Sequence, residues 1–340
     1  MKKTLTVVFA AGALVLAACG GGGDDAQAEP VDATGPIGEP EKTKLQVALS
    51  APNLDSQAPV QIALDRGYYA DEGLEIEIID AQSILEGLIG GNLDIGIDST
   101  VDIADASMAG TDLKIVAGYR NREPFLIAAA EDITSVEDLR GKEVILGDGP
   151  GTPSIDIRLE LLAENGFDLD TIDHHAVFPP GFSNAWVEQF VTGKVAMTPL
   201  FPRHVPRIEA VGGHLVVDEW KEWPNDSIAA SASWIAKNPN TLARFLRATM
   251  KGTADFLDLD NQEYVQSMME EKGFSISDEE RDPAIYAEGP RLYDADMGLN
   301  VTGVEESMEH QLEEIPEFDT YTDLTQLHRA QEDLGLDRRP

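Results

Sequence analysis

Strand and helix signals alternate along this chain in two separate runs, and each run leads into an apolar segment. The first run begins near residue 44 and the second near residue 135, with apolar segments at 125–130 and 228–235. Strands separated by helices predict mainly parallel sheets that are covered by helices on both faces. Two such units joined by two crossing segments predict two lobes linked by a two-stranded hinge, which close on a ligand by rotation. The fold class is therefore α/β.

The predicted lobes have unequal shares of the chain. The first lobe comprises residues 43–127 together with 233–340, where an amphipathic helix near 242–250 precedes acidic helices and loops. The second lobe comprises residues 128–232. No repeat of solenoid period is present in the sequence.

The N-terminus has the pattern of a secretory signal. Lys2 and Lys3 precede an apolar run at 5–18, which is too short for an ordinary membrane-spanning helix. The run ends in Leu-Ala-Ala-Cys at 16–19, which resembles a bacterial lipobox and implies cleavage after residue 18 and lipid attachment to Cys19. The alternative is a chance cysteine after a plain signal peptide. Two or more acyl chains would hold the protein on the outer face of the membrane.

Residues 19–42 are rich in glycine, alanine, proline and acidic residues, and they predict a flexible tether. Because Cys19 is the only cysteine, no disulfide can form within the chain. The formal charge is −37, from 62 acidic against 25 basic residues, so nucleic acid is excluded as a partner. The acidic surface is explained equally well by a high-salt habitat and by ordinary solvation.

Three segments carry a family resemblance. They are ALDRGYYADEGL at 63–74, GLIGGNLDIG at 87–96 and VEDLRGKEV at 136–144. In this order they resemble signatures of the type II periplasmic solute-binding proteins of ABC importers, in the branch for nitrate, sulfonate, taurine and thiamine-pyrimidine precursors. The resemblance implies a monomer that captures a small molecule between two lobes and delivers it to a permease. The branch binds diverse solutes. The aromatic candidates named below favour a thiamine-pyrimidine-like heterocycle, whereas the pair of Arg120 and Arg122 favours the alternative, an anion such as a sulfonate, taurine or nitrate.

Ligands of open α/β sheets bind beyond the carboxyl ends of the strands, close to helix N-termini. The loops at these positions supply the predicted ligand-binding residues, which are Asn53, Asp98, Ser99, Thr100, Tyr119, Arg120, Arg122, Gly151, Thr152, Ser154, Phe182, Phe201 and Trp223.

Several of these residues have a structural alternative. The hydroxyl residues at 99, 100, 152 and 154 are also good helix caps. Arg120 and Arg122 would form a fork for a carboxylate or sulfonate, or ordinary ion pairs with Glu123 or Glu131. The aromatic candidates, with Trp220, would stack on a flat ring, whereas Trp186 is interpreted as core. Asp226 is a further candidate for bonding an amino group.

Catalytic motifs are absent from the sequence. It has neither a phosphate-binding loop nor a nucleophile elbow, and it has no cysteine after residue 19. His174 and His175 are adjacent on a predicted strand, where side chains point to opposite faces and do not chelate one metal. We therefore expect no enzyme activity, no cofactor and no metal. The alternative is an enzyme resembling the synthases of the thiamine pyrimidine, which carry a cysteine-rich motif that this exported chain lacks.

Overall fold

The computed structural model describes residues 35–147, 149, 153–180, 182–309, 312 and 315–340. Strands within these residues are β1 (Lys44–Leu49), β2 (Glu75–Ile78), β3 (Ile95–Ser99), β4 (Leu113–Ala129), β5 (Glu143–Ile145), β6 (His175–Val177), β7 (Met197–Leu200) and β8 (His214–Ser231). The helices are α1 (Leu54–Asp65), α2 (Tyr68–Asp71), α3 (Ile84–Ile89), α4 (Thr100–Met108), α5 (Pro153–Glu164), α6 (Phe182–Val191), α7 (Val205–Glu209), α8 (Ala232–Lys237), α9 (Pro239–Leu257), α10 (Gln262–Glu271), α11 (Pro283–Tyr286), α12 (Val301–Glu309), α13 (Phe318–Tyr321) and α14 (Thr325–Asp333).

The strands pair in the order β2-β1-β3-β8-β4-β7-β5-β6. β1 is parallel to β2 and β3, and β5 is parallel to β6 and β7. The long strands β4 and β8 lie between these two parallel groups and run antiparallel to each other. The α/β fold with two mainly parallel groups is therefore confirmed.

β4 and β8 form the hinge. Their pairing extends from Leu113 opposite Ser231, beside the first parallel group, to Ala129 opposite His214, beside the second. The register shifts repeatedly around Arg120, where the two strands pass between the lobes. The apolar run at 125–130 lies almost entirely in β4, and the run at 228–235 spans the end of β8 and the start of α8. Both predicted crossing segments thus include residues of the two strands that connect the lobes.

Each lobe has hydrophobic cores on both faces of its sheet. Near β7, Phe125 and Ile127 of β4 pack with α5, whereas Leu126 and Ala128 pack with α6 around Trp186. This alternation is the period of two that a strand imposes on its side chains. Trp186 is 4% exposed, which confirms its interpretation as core.

Local signals of the sequence set the ends of several elements. Ser83 caps α3 by accepting a hydrogen bond from the Glu86 amide, and Ser135 forms the predicted capping box with Asp138. Gly73 has a φ of 76°, which favours glycine after the turn that ends α2.

The chain before β1 contacts the first lobe. The Gly38 amide donates to Asn240 Oδ1 at 2.9 Å, and the Glu41 carboxylate accepts from the Thr241 amide at 2.9 Å. Lys42 Nζ lies 2.6 Å from Asp94 Oδ1. Residues 35–42, which the sequence assigns to the tether, thus make specific contacts with the folded protein. The rest of the predicted tether, the signal segment and Cys19 lie outside the described residues.

Across the part of the chain that the structure describes, no helix is both long and apolar enough to cross a bilayer. The same residues contain no cluster of three or more histidine, cysteine or carboxylate side chains suited to a metal ion.

Candidate functional site

The candidate site is the cleft between the lobes, at the carboxyl ends of β1 and β7. β1 leads into Asn53, whose side chain caps α1 by accepting from the Ser56 amide at 2.9 Å. β7 leads into Phe201 and Arg203, and Arg203 Nη1 reaches across the cleft to within 3.6 Å of Asp55 Oδ2. Both loops therefore present polar groups to the same space.

A buried polar network around Arg120 connects the hinge strands to the start of α1. Arg120 Nη1 donates to Asp226 Oδ2 and to Ser56 Oγ, and Nη2 donates to Glu123 Oε2, each at 3.2 Å. Ser50 Oγ also donates to Asp226, at 3.1 Å. Burial raises the pKa of Glu123, although the Arg120 charge opposes the rise. The guanidinium is thus already shared by two carboxylates.

The predicted anion fork of Arg120 and Arg122 is not formed. Arg122 Nη2 donates to Asp294 at 2.7 Å and Nε donates to Glu222 at 2.8 Å. Residues two apart on a regular strand share a face, but the register shifts between Arg120 and Arg122. Arg120 pairs with Glu123, as the ion-pair alternative predicted, whereas Arg122 pairs with Glu222 and Asp294 instead. Glu131 takes no part in the described ion pairs of either arginine.

The candidates that follow β3 have different surroundings. Ser99 Oγ caps α4 by accepting from the Asp102 amide, and Thr100 is fully buried with its hydroxyl 2.7 Å from Ser227 Oγ. Asp98 is half-buried and lines a groove with Ser50. Burial raises the pKa of Asp98, and the hydrogen bond from the Ser99 amide opposes the rise. Asp98 therefore remains available to a solute, whereas Thr100 does not.

Tyr119 is a core residue in this structure. It is 1% exposed, and its hydroxyl donates to the Ser56 carbonyl at 3.0 Å. Its ring meets Tyr293 edge-on at a centroid distance of 5.1 Å. Tyr119 therefore holds the first turn of α1 in place and does not face a solute.

Other candidates of the second lobe pack around Arg158. Ser154 Oγ accepts from Arg158 Nη1 at 3.1 Å, and the same nitrogen donates to the Leu146 carbonyl. Trp223 is half-buried and meets Phe125 edge-on at 6.2 Å. Gly151, Thr152 and the side chain of Phe182 lie outside the described residues.

An apolar pocket opens where the two lobes and the hinge meet. It holds about 460 Å³ including its mouth, and its walls include Leu54, Asp55, Phe201, Trp220, Tyr286 and Leu292. Of its residues the sequence predicted Phe201 and considered Trp220. Asp55 directly follows the loop after β1, so the rule that ligands bind beyond the ends of strands could have indicated it. No local sequence pattern indicates Tyr286.

A second groove of about 860 Å³ adjoins this pocket and shares Asp55 and Arg203 with it. His204 lines the groove and is 3% exposed, with Nε2 lying 3.2 Å from Ser183 Oγ. Burial and the charges of Arg203 and Arg207 lower the pKa of His204 to about 3. The ring is therefore neutral at ordinary pH.

Solved structures with the same fold are solute-binding proteins. One is described as a putative periplasmic sulfonate-binding protein, SsuA, from Methylobacillus flagellatus KT. It aligns with a TM-score of 0.64 at 15% identity over 87% of this chain and 96% of that one. The periplasmic nitrate-binding protein NrtA from Synechocystis PCC 6803 aligns with a TM-score of 0.51 at 18% identity, over 72% and 70% of the two chains. The fold is that of the periplasmic binding proteins, as the resemblance implied.

The sequence identifies the family within this fold. Residues 55–262 match the family described as NMT1/THI5 like, and the chain belongs to it. A curated relative, the riboflavin-binding protein RibY of Chloroflexus aurantiacus, is 25% identical over 241 residues, which are 68% of this chain and 67% of that protein.

Proposed function

We propose that this chain is an extracytoplasmic solute-binding protein that captures one small organic molecule between its lobes and delivers it to the permease of an ABC importer. The observation that carries the proposal is the cleft itself, which is spanned by two hinge strands and bordered by side chains of both lobes. Such a protein needs only to bind its solute more tightly in the closed state than in the open state. No chemistry on the solute is part of the proposal.

A heterocycle resembling the thiamine pyrimidine is the favoured solute. Among the described residues, the apolar pocket is lined by the carboxylates Asp55, Glu280 and Glu288 and by one arginine, Arg203. An excess of carboxylates disfavours an anion and favours a solute that offers N–H donors. Apolar and aromatic pocket walls suit a flat ring. The riboflavin named for the curated relative is also a flat heterocycle with hydrogen-bonding edges.

An anion such as a sulfonate, taurine or nitrate is the second candidate. Arg203 and Arg207 both line the second groove. Arg203 is 3.6 Å from the Asp55 carboxylate and is not directly hydrogen-bonded to it. The names of the SsuA and NrtA structures describe solutes of this class.

Location and partners complete the proposal. The secretory pattern and Cys19 support a lipid-anchored monomer on the outer face of the membrane, with the ABC permease as its protein partner. We propose a first lobe of residues 43–127 and 233–340 and a second lobe of 128–232. Replacement of Cys19 by serine should release the protein into the medium or periplasm, and retention in the membrane fraction would contradict the anchor.

A thermal-shift screen of the purified protein tests the function. The panel contains the aminopyrimidine of thiamine, riboflavin, taurine, an alkanesulfonate and nitrate. A solute that binds only the folded state raises the melting temperature, by linkage. Recovery of the bound compound unchanged supports a binding protein, and its conversion into a product would support the enzyme alternative instead.

A further inference from the structure

A segment of the first lobe, residues 294–303, lies along the hinge and bonds to β4. The Gly118 amide donates to the Met297 carbonyl at 2.9 Å. Asn121, whose side chain is buried, donates from Nδ2 to the Gly298 carbonyl at 2.7 Å. We call this segment the brace, because a two-stranded ribbon is not rigid by itself and these bonds hold part of it against the lobe.

Asp294 connects the brace to both hinge strands. Its Oδ2 accepts from Asn121 Nδ2 at 3.0 Å, and its Oδ1 accepts from Arg122 Nη2 at 2.7 Å. Arg122 Nε in turn donates to Glu222 of β8 at 2.8 Å. Asn300 Nδ2 of the brace donates to the second oxygen of Glu222, also at 2.8 Å. The brace therefore holds Arg122 and Glu222, which face each other in the pairing of β4 with β8.

The brace is itself fixed to the body of the first lobe. Met297 is 1% exposed and packs in the core that contains the buried faces of α1 and α9. The Asp296 carbonyl accepts from Nε2 of Gln331, a buried residue of α14, at 3.0 Å. The φ of Met297 is 54°, a left-handed conformation that is unfavourable for residues other than glycine and persists where the surrounding structure fixes it. The Met297 carbonyl that accepts from β4 therefore has a set position.

Close packing extends the braced part of β8 as far as Pro224. A Cβ atom on Gly303 would be 2.8 Å from Pro224 Cδ, so the start of α12 touches the strand where glycine leaves room for it. Residues 222–224 of β8 thus lie directly against the brace.

The braced part of β4 ends just before Pro124. Glu123 Oε2 accepts from Arg120 Nη2 at 3.2 Å, so Glu123 is held on the braced side. Phe125 is 2% exposed and packs with α5 in the core beside β7, so it belongs with the second parallel group. Pro124 and Trp220, its partner on β8, lie between these two bodies.

The pair of Pro124 and Trp220 is a weak step of the ribbon. Proline has no N–H and cannot donate a hydrogen bond to the opposite strand. The guanidinium of Arg291 lies 4.0 Å from the centroid of the Trp220 ring. This is a contact between side chains, and it leaves the backbone of Trp220 able to turn.

We infer that the brace confines the rotation of the lobes to the pair of Pro124 and Trp220. Residues 118–123 of β4 and 221–224 of β8 stay with the first lobe, and the second parallel group turns about the pair. The inference moves the proposed lobe boundaries along the hinge, from 127 to 124 on β4 and from 232 to 220 on β8. It concerns the motion of the protein without solute, and so it goes beyond the proposed function.

Distances between spin labels on the two lobes test the inference in the full chain without solute. The labels are attached to Lys194→Cys and Lys272→Cys, two exposed positions on opposite lobes, in a chain that also carries Cys19→Ser. Double electron–electron resonance then gives the distribution of distances between the lobes. Asp294→Ala should widen this distribution about 1.5-fold, because the brace loses the acceptor that Asn121 and Arg122 share.

Asp255→Ala is the matched control for Asp294→Ala. Asp255 also accepts from a neutral donor, the Tyr68 hydroxyl at 2.6 Å, and pairs with an arginine, Arg66 at 3.1 Å, but these residues lie on α1, α2 and α9. Its distribution should keep the width of the starting protein. Equal widening by Asp294→Ala and Asp255→Ala would show general loosening of the lobe and would overturn the inference.

Two buried prolines of the hinge test where the rotation occurs, whether or not Asp294→Ala folds. Pro124→Gly frees φ at the proposed turning point and should widen the distribution, whereas Pro224→Gly lies in the braced part and should not. Equal widths for the two proline variants would overturn the inference, as would an unchanged width for folded Asp294→Ala. Either result leaves the proposed function in place, because the solute screen tests that separately.

Discussion

Arg203 of the second lobe lies 3.6 Å from Asp55 of the first lobe, so an ion pair joins the two sides of the cleft. The pair is partly exposed, and such pairs typically contribute about 0.2 to 1 kcal/mol. This is too weak to hold the lobes together alone, but it is enough to bias an open–closed equilibrium severalfold.

Removal of the Arg203 charge should therefore open the solute-free protein. Arg203→Met is expected to increase the radius of gyration measured by small-angle X-ray scattering. Arg207→Met is the control, because Arg207 pairs with Glu188 within the second lobe at 3.0 Å. An equal radius for both variants would show that the cross-cleft pair does not influence closure.

The pH dependence of stability should reveal the cost of burying Asp55. Burial raises the pKa of this carboxyl in spite of Arg203, so the folded protein binds its proton more tightly than the unfolded chain does. Its contribution to stability is complete below the unfolded pKa and is lost as pH rises through the folded pKa. Asp55→Asn should raise the melting temperature at pH 7, and Asp65→Asn, an exposed residue of the same helix, should not. A lower melting temperature for Asp55→Asn would contradict this reasoning.

The contribution of His204 to stability should change with pH in the opposite direction to that of Asp55. Its pKa is lowered to about 3 in the folded protein, against about 6.5 in an unfolded chain. Its contribution is therefore present above pH 6.5 and is lost as pH falls toward 3, at up to about 1.4 kcal/mol per pH unit. His204→Gln should flatten the acid limb of urea-unfolding free energies measured from pH 7 to 4. His175→Gln, at an exposed position, is the control, and equal acid limbs in both variants would contradict the assignment.

The packing of α9 on α1 should tolerate no added atom at Gly252. A Cβ at this position would lie 2.2 Å from the Pro59 carbonyl oxygen, which belongs to the backbone of α1. Gly252→Ala should destabilise the protein by about 1–3 kcal/mol in chemical unfolding. Gly149→Ala, where an added Cβ has no neighbour within 4 Å among the described residues, should have little effect. Equal stability of the two variants would show that α9 can shift at no cost.

Local signals made the two α/β runs predictable. Alternating apolar residues, capping serines and glycines after helices act over a few residues, and Gly73 and Ser135 behave as expected. The two-stranded hinge followed from the order of these elements. The apolar run at 125–129 indicates a buried strand and forms the end of β4, but the full length of β4 and its register shifts carry no signal in the sequence.

The cleft was only partly predictable because its members meet through tertiary structure. Asn53, Asp98 and Phe201 follow strands and line grooves of the structure, and their role in ligand binding stays a prediction. The Arg120 and Arg122 fork failed because register shifts in β4 are invisible in the sequence. Tyr286 comes from the C-terminal helices, far along the chain from Asp55, and only the folded structure brings the two into one pocket.

The most direct test of the account is small-angle scattering of the Cys19→Ser chain during titration with the aminopyrimidine of thiamine or with riboflavin. The account predicts that the radius of gyration decreases and levels off at one molecule of solute per chain, with the solute recovered unchanged. Saturable binding with no decrease in the radius would contradict capture by closure of the two lobes about β4 and β8.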